Sequence, residues 1–284
     1  MKNLLERIAQ GDVLISDGAM GTFLHAKGLA AGECPESWCM SHPDVVRGIA
    51  EAYIEAGSDV VETNSFGGSS FKLKPYGAAG RVAEFNRAAA ALAKQAMGGR
   101  GFVAASVGPT GHILEDEGGD TTAEQLYEAF KQQIVALAEG GADAICVETM
   151  SSLEEAKQAI RAAKENTKLP VICTFTFEAG AKGFRTMMGL KPDRAAREAV
   201  AAGADIVGAN CGNGIGNMIE IAQTVVEGAL QRKESRGSHF MVEYPKRDDA
   251  NFLAHTLAYR SDGAPRMSRS PVAITKWQPM ERKY

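Results

Sequence analysis

Three stretches of the chain repeat one phrase: IEAGSDVVETN at residues 54–64, LAEGGADAICVET at 137–149 and AVAAGADIVGANC at 199–211. In each, a helix ends at a glycine, an apolar run of strand length follows, and polar residues close the run. Gly57, Gly141 and Gly203 stand where a helix C-terminus needs a left-handed residue, and the runs after them are short and continuous enough for parallel strands buried on both faces. The phrase is the αβ half of a repeating βα unit, which confines the chain to the parallel α/β folds.

Further strands are read at VLISD (13–17), FVAASV (102–107) and PVICTFTF (170–177), making six. Helical patterns separate them. HPDVVRGIAEAYIEAG places Pro43 at a first helical position, with Val46, Ile49 and Tyr53 along one face. Thr121 with Glu124, and Ser152 with Glu155, have capping-box spacing before the next apolar positions. The alternation runs without a Pro- or Ser-rich linker, so a single (β/α)8 TIM barrel is expected, with a doubly wound open sheet as the alternative. The glycines of CGNGIGN, at 212, 214 and 216, do not form G-x-G-x-x-G, which argues against a dinucleotide fold.

The formal net charge is -4, from 31 basic and 35 acidic residues that are intermixed. No basic stripe points to nucleic acid or to an anionic membrane, so the expected partner is a small molecule. Glu6 and Arg7 interrupt the N-terminus where a secretion signal would be apolar, and no run approaches the length of a membrane span. Five cysteines without a CxxC pair suit a reducing compartment, and a cytoplasmic location is expected.

In a barrel the carboxyl ends of all strands converge on one face, where active sites are built. Those ends are polar here: Asp17 with Gly18, Ala19 and Met20; Glu62-Thr63-Asn64; Gly108-Pro109-Thr110; Glu148-Thr149; and Asn210-Cys211. Any one of these acids alone reads equally well as a loop cap or an ion-pair partner. Their coincidence at five strand ends points to a shared pocket. Cys146 and Cys173 lie inside apolar strands and read as packing thiols, Cys34 and Cys39 read as structural, and the five histidines have no partners at metal-ligand spacing.

The blocks SDGAMGT, GECPESW, AYIEAGSDVVETNSFG, SVGPTG, ETMSSLEEAKQAI and GANCGNG resemble, in order and spacing, the homocysteine S-methyltransferase family, particularly the homocysteine-binding module of cobalamin-dependent methionine synthase. The resemblance runs from about residue 10 to 223. It implies a (β/α)8 barrel that binds zinc through three cysteines and passes a methyl group to the thiol of homocysteine, giving methionine. It casts Cys211 as a zinc ligand and catalytic residue, places Glu148 and Asp17 at the ammonium end of the substrate, lays the Gly18-Ala19-Met20 turn against it, and makes Asn64 a pocket residue. The donor implied is a methylated small compound or a methylcorrinoid on a partner protein. Zinc suits this chemistry because only a thiolate is a good nucleophile, and a site with three thiolates leaves a fourth position for the substrate sulfur. A corrinoid-protein methyltransferase of one-carbon metabolism on the same fold is the second reading.

After about residue 224 the family pattern stops. The family's two further cysteines follow its eighth strand, whereas this chain has no cysteine after Cys211. HFMVEYP offers a seventh strand, and nothing reads as an eighth. Residues 1–224 are therefore expected to form the barrel-like unit and 225–284 an atypical segment, leaving the barrel irregular at strands seven and eight. A truncated, catalytically impaired barrel is the third reading. Some codon choices for Lys246 to Phe252, read one nucleotide later, would give a turn like the family's, which the gene sequence decides.

Overall fold

A computed structural model of the chain describes residues 3–231 apart from 182 and 213, and beyond them 233, 244, 246, 248–252, 254–259 and 266–271. HFMVEYP lies almost wholly outside the described residues. In chain order the strands are β1 (Val60–Glu62), β2 (Phe102–Val107), β3 (Ala144–Met150), β4 (Val171–Phe175), β5 (Glu178–Gly180), β6 (Gly183–Arg185), β7 (Ile206–Ala209), β8 (Ala254–Tyr259) and β9 (Arg266–Pro271). Five of them form one parallel sheet in the order β1-β2-β3-β4-β7. Residues 13–17 flank it: Ser16 bridges Val60 in parallel, and Asp17 N–H donates to the Val60 carbonyl at 3.0 Å.

This order decides between the two expected architectures. A doubly wound sheet reverses its strand order at a switch point and carries helices on both faces. Here each new strand adds on the same side of the last, and the long helices pack on one face. Val61 and Val103 meet Ala50, Ile54, Ala93 and Met97, from the helices Pro43–Glu55 and Val82–Met97. Ile145, Val147, Val171 and Phe175 meet Phe130, Ile134 and Leu137 of helix Ala123–Glu139 and Ile160 of helix Leu153–Asn166. The alternate residues, Val60, Phe102, Ala104, Ala144 and Cys146, form a separate interior cluster with Leu14, Ile172 and Ile206, plugged by Leu4 of the first helix. An interior of side chains inside a ring of helices is the construction of a (β/α)8 barrel. The five strands of the parallel sheet, with residues 13–17 at its edge, are six consecutive units of that barrel. Burying each large side chain of the outer layer contributes about 1.5–3 kcal/mol.

The repeated glycines do what the phrase demands: Gly57, Gly141 and Gly203 have φ of 108°, 100° and 113° just past their helices. Pro43 opens its helix as expected. The capping boxes need correction. Thr122, not Thr121, caps helix Ala123–Glu139, and Gln125 returns its side chain to the Thr122 N–H at 2.8 Å. Thr121 is buried and turned toward His112 and Asp120. Ser152 does cap the next helix, but the carboxylate of Glu155 accepts from Thr110 N–H and Oγ1 at 2.7 and 2.6 Å instead of closing the box. No described helix is long and apolar enough to cross a membrane.

Candidate active site

Period-two alternation carries the interior-facing register to the carboxyl ends of the strands, where its last members are polar. In this register Glu62, Ser106, Glu148, Thr174 and Asn210 follow the apolar interior residues of five successive strands. At the end of β3 the pairing with β4 shifts register between Val147 and Met150, and Thr149 sits at φ 60°, a costly conformation for a β-branched residue. Asn210 fixes this bend. Its Oδ1 accepts from Thr149 N–H at 3.0 Å and from Thr174 Oγ1 at 2.9 Å, and its Nδ2 donates to Thr149 Oγ1 at 2.8 Å and to Glu148 Oε2 at 2.9 Å. Ser106 Oγ donates to Glu148 Oε1, so both oxygens of this carboxylate, only 8% exposed as a residue, are held.

Two further carboxyls face Glu148. Asp17 Oδ2 accepts from Glu62 N–H at 2.9 Å, which ties the first strand end to the second. Burial pushes Asp17 up to about 6, with the Glu148 charge adding to the shift. Burial, then the charges of Glu148 and Asp17, push Glu62 up to about 8, and burial also raises Glu148. No basic group contributes to any of the three shifts among the described residues. Three carboxyls thus share a water-poor mouth with no counter-charge among the described residues, an arrangement that favours an incoming cation or retained protons.

Of the residues expected from sequence, Asp17 and Glu148 come together. Gly18 and Ala19 lie beside them under Tyr53, whose hydroxyl donates to the Ala19 carbonyl at 3.3 Å; a Cβ on Gly18 would stand 2.9 Å from that oxygen. Met20 begins the helix Met20–Ala26 and packs into the cluster of Leu24, Trp38 and Ile49. Asn64 is buried, donating to the Pro35 carbonyl at 2.8 Å and contacting Cys39 Sγ at 3.5 Å. It clamps two loops together. Glu62 and Asn210, both among the polar strand ends of the sequence, join them, and Ser106 and Thr174 extend the set; the sheet, through the interior cluster of alternate residues, is what places these side chains on the inner face.

Cys211 is exposed at φ 56°, with Thr149 Oγ1 at 3.7 Å and Asn210 Nδ2 at 3.6 Å. A hydroxyl and an amide NH2 do not make up the thiolate set that tetrahedral zinc requires. Cys146 and Cys173 are buried in the sheet, and burial holds the thiols of Cys173, Cys39 and Cys34 up at about 12, 12 and 11. Among the described residues no group of three or more His, Cys, Asp or Glu side chains is placed to hold a metal ion. The described residues do not fit the zinc implied by the resemblance. His25 and His42 serve packing, His25 against the Leu29 carbonyl and His42 stacked on Trp38 at 4.2 Å.

A family profile described as homocysteine S-methyltransferase matches residues 14–272. Methionine synthase of Mycobacterium tuberculosis is 31% identical over 235 residues, covering 77% of this chain and 19% of that protein. The fumarate reductase flavoprotein subunit of Haemophilus influenzae is 51% identical over 71 residues, 25% of this chain and 12% of that protein. The chain thus spans at most a fifth of either relative. Among solved structures, the metallated form of the homocysteine methyltransferase MmuM from Escherichia coli superposes with a TM-score of 0.68 at 20% identity, covering 80% of this chain and 83% of that one, a likeness of fold.

Proposed function

From the premise that this chain belongs to the homocysteine S-methyltransferase family, we propose that it binds homocysteine at the strand-end mouth as the acceptor in a methyl transfer. The observation that carries this reading is the uncompensated cluster of Asp17, Glu62 and Glu148. An amino-acid ammonium supplies the missing positive charge and three donors for carboxylate oxygens. Ser106, Thr149 and Asn210 hold Glu148 in one orientation, so little ordering cost remains at binding. Seated there, the substrate directs its side chain along the strand ends, in the direction of Cys211 and the open face. The methyl donor, a small methylated compound or a methylcorrinoid carried by a partner protein, approaches from that face. Five free thiols are in keeping with a cytoplasmic setting.

Calorimetric titration with L-homocysteine and with 4-mercaptobutyrate, which keeps the thiol and the carboxylate but lacks the ammonium, tests the reading. Homocysteine is expected to bind and the des-amino compound to fail. Equal binding of the two would refute the role given to the acids.

A further inference from the structure

We infer that the chain is a composite, a six-strand barrel arc followed by a C-terminal unit of the fumarate reductase flavoprotein type, and that its amino-acid site therefore operates without a bound zinc ion. The inference rests on the homocysteine reading for the site's ligand and adds what the site lacks.

Four observations carry it. The methionine synthase likeness covers 77% of the chain and the flavoprotein likeness 25%, shares whose sum is close to the length of the chain. The family blocks stop at about residue 223, and the 60 residues from 225 to 284 are the part of the chain they leave for most of the second share of 71 residues. That share is the more similar of the two, 51% identical against 31%. The family profile reaches residue 272, but the strands that lie there are not barrel strands. β8 and β9 pair antiparallel with each other in a sheet of their own, whereas the seventh and eighth strands of a barrel must join the parallel sheet. Arg269 instead binds this hairpin locally, donating to the Asn251 carbonyl at 3.2 Å and the Gln231 carbonyl at 3.1 Å, with its guanidinium 4.1 Å from the Phe252 ring centre.

The seam shows the same substitution from the other side. Val13 and Ile15 are 89% and 60% exposed at the first strand, where a closing eighth unit would cover them. The last barrel units are also those that bring the family's paired cysteines to the mouth. This chain has no cysteine after Cys211, which among the described residues stands with a hydroxyl and an amide as neighbours, and a single thiolate does not hold zinc tightly. Recognition then falls to the carboxyls at the ammonium end, and the substrate sulfur contributes little.

The full chain, purified without chelator, incubated with excess zinc and desalted, is assayed for metal, then titrated with L-homocysteine and with L-homoserine, which carries a hydroxyl in place of the thiol. The expected result is far less than one zinc per chain, with affinities for the two amino acids within about threefold of each other. One zinc per chain surviving desalting, with homocysteine preferred more than about tenfold and the preference lost on chelation, would overturn the inference while leaving the amino-acid reading in place. Absence of zinc with neither amino acid bound would sustain the metal-free composite and refute the homocysteine reading.

Discussion

Asn210 donates through Nδ2 to Glu148 Oε2 at 2.9 Å, joining residues 62 positions apart at the ends of two strands that are not neighbours in the sheet. β4 lies between them, and its Thr174 donates to the same amide at 2.9 Å. One side chain therefore sets the position of three strand ends and of the carboxylate beneath them.

Asn210→Ala removes both halves of that amide and leaves the Thr149 N–H and a buried Glu148 oxygen short of partners. A loss of about 1–3 kcal/mol of stability is expected, since a buried polar group without its partner bears its full desolvation cost. Urea unfolding measures it. A midpoint equal to that of the parent would show that the amide is not needed to hold the strand ends.

The acids give the protein a pH dependence of known sign. Asp17 moves from 3.8 to about 6 and Glu62 from 4.5 to about 8 because burial disfavours their charged forms. The folded state holds these protons more tightly than the unfolded chain, so the stability they contribute is fully present below about pH 4 and is lost as pH rises through about 6 and then 8. Thermal unfolding of the parent and of Glu62→Gln across this range is the check. The parent is expected to lose stability relative to the variant toward high pH, and parallel curves would contradict the assignment. Because an ammonium ligand favours the ionised carboxyls, its binding should release protons and strengthen over the same interval.

Much of this was readable in the residues themselves. The parallel strands follow from apolar runs set between a helix-ending glycine and a polar close, and the meeting of Asp17 with Glu148 follows from the convergence of strand ends in a barrel. Glu62 and Asn210 depend on the parity of each strand, which a run apolar on both faces conceals; only the sheet tells interior from exterior. Asn64 has the polar character of a pocket residue, but its amide is spent on the Pro35 carbonyl, a contact 29 positions away that no local pattern encodes. Thr121 and Thr122 are equivalent caps by composition, and tertiary burial of Thr121 decides between them. The first strand reduces to a single bridge, and among the described residues no strand pairs with its outer edge.

Gly101 is fixed by close approach to the strand that carries Glu62. A Cβ there would stand 2.2 Å from the Asp59 carbonyl oxygen, which accepts the Phe102 N–H at 2.9 Å. Gly101→Ala forces β1 and β2 apart at their entry and is expected to cost about 1–3 kcal/mol. A shift in the denaturant midpoint at unchanged slope reads this directly, and an unchanged midpoint would contradict the tight approach.

We propose that the carboxylate of Glu148 holds the ammonium of homocysteine. Calorimetric titration of L-homocysteine into the parent and into Glu148→Gln tests it most directly, because glutamine keeps the shape of the side chain and removes its charge, and an unfolding curve verifies that the variant is folded. Loss of one buried, charge-assisted contact should weaken binding by about 1.5–3 kcal/mol, or about 10- to 100-fold. Unchanged affinity in a folded Glu148→Gln protein would remove Glu148 from the site and contradict the account.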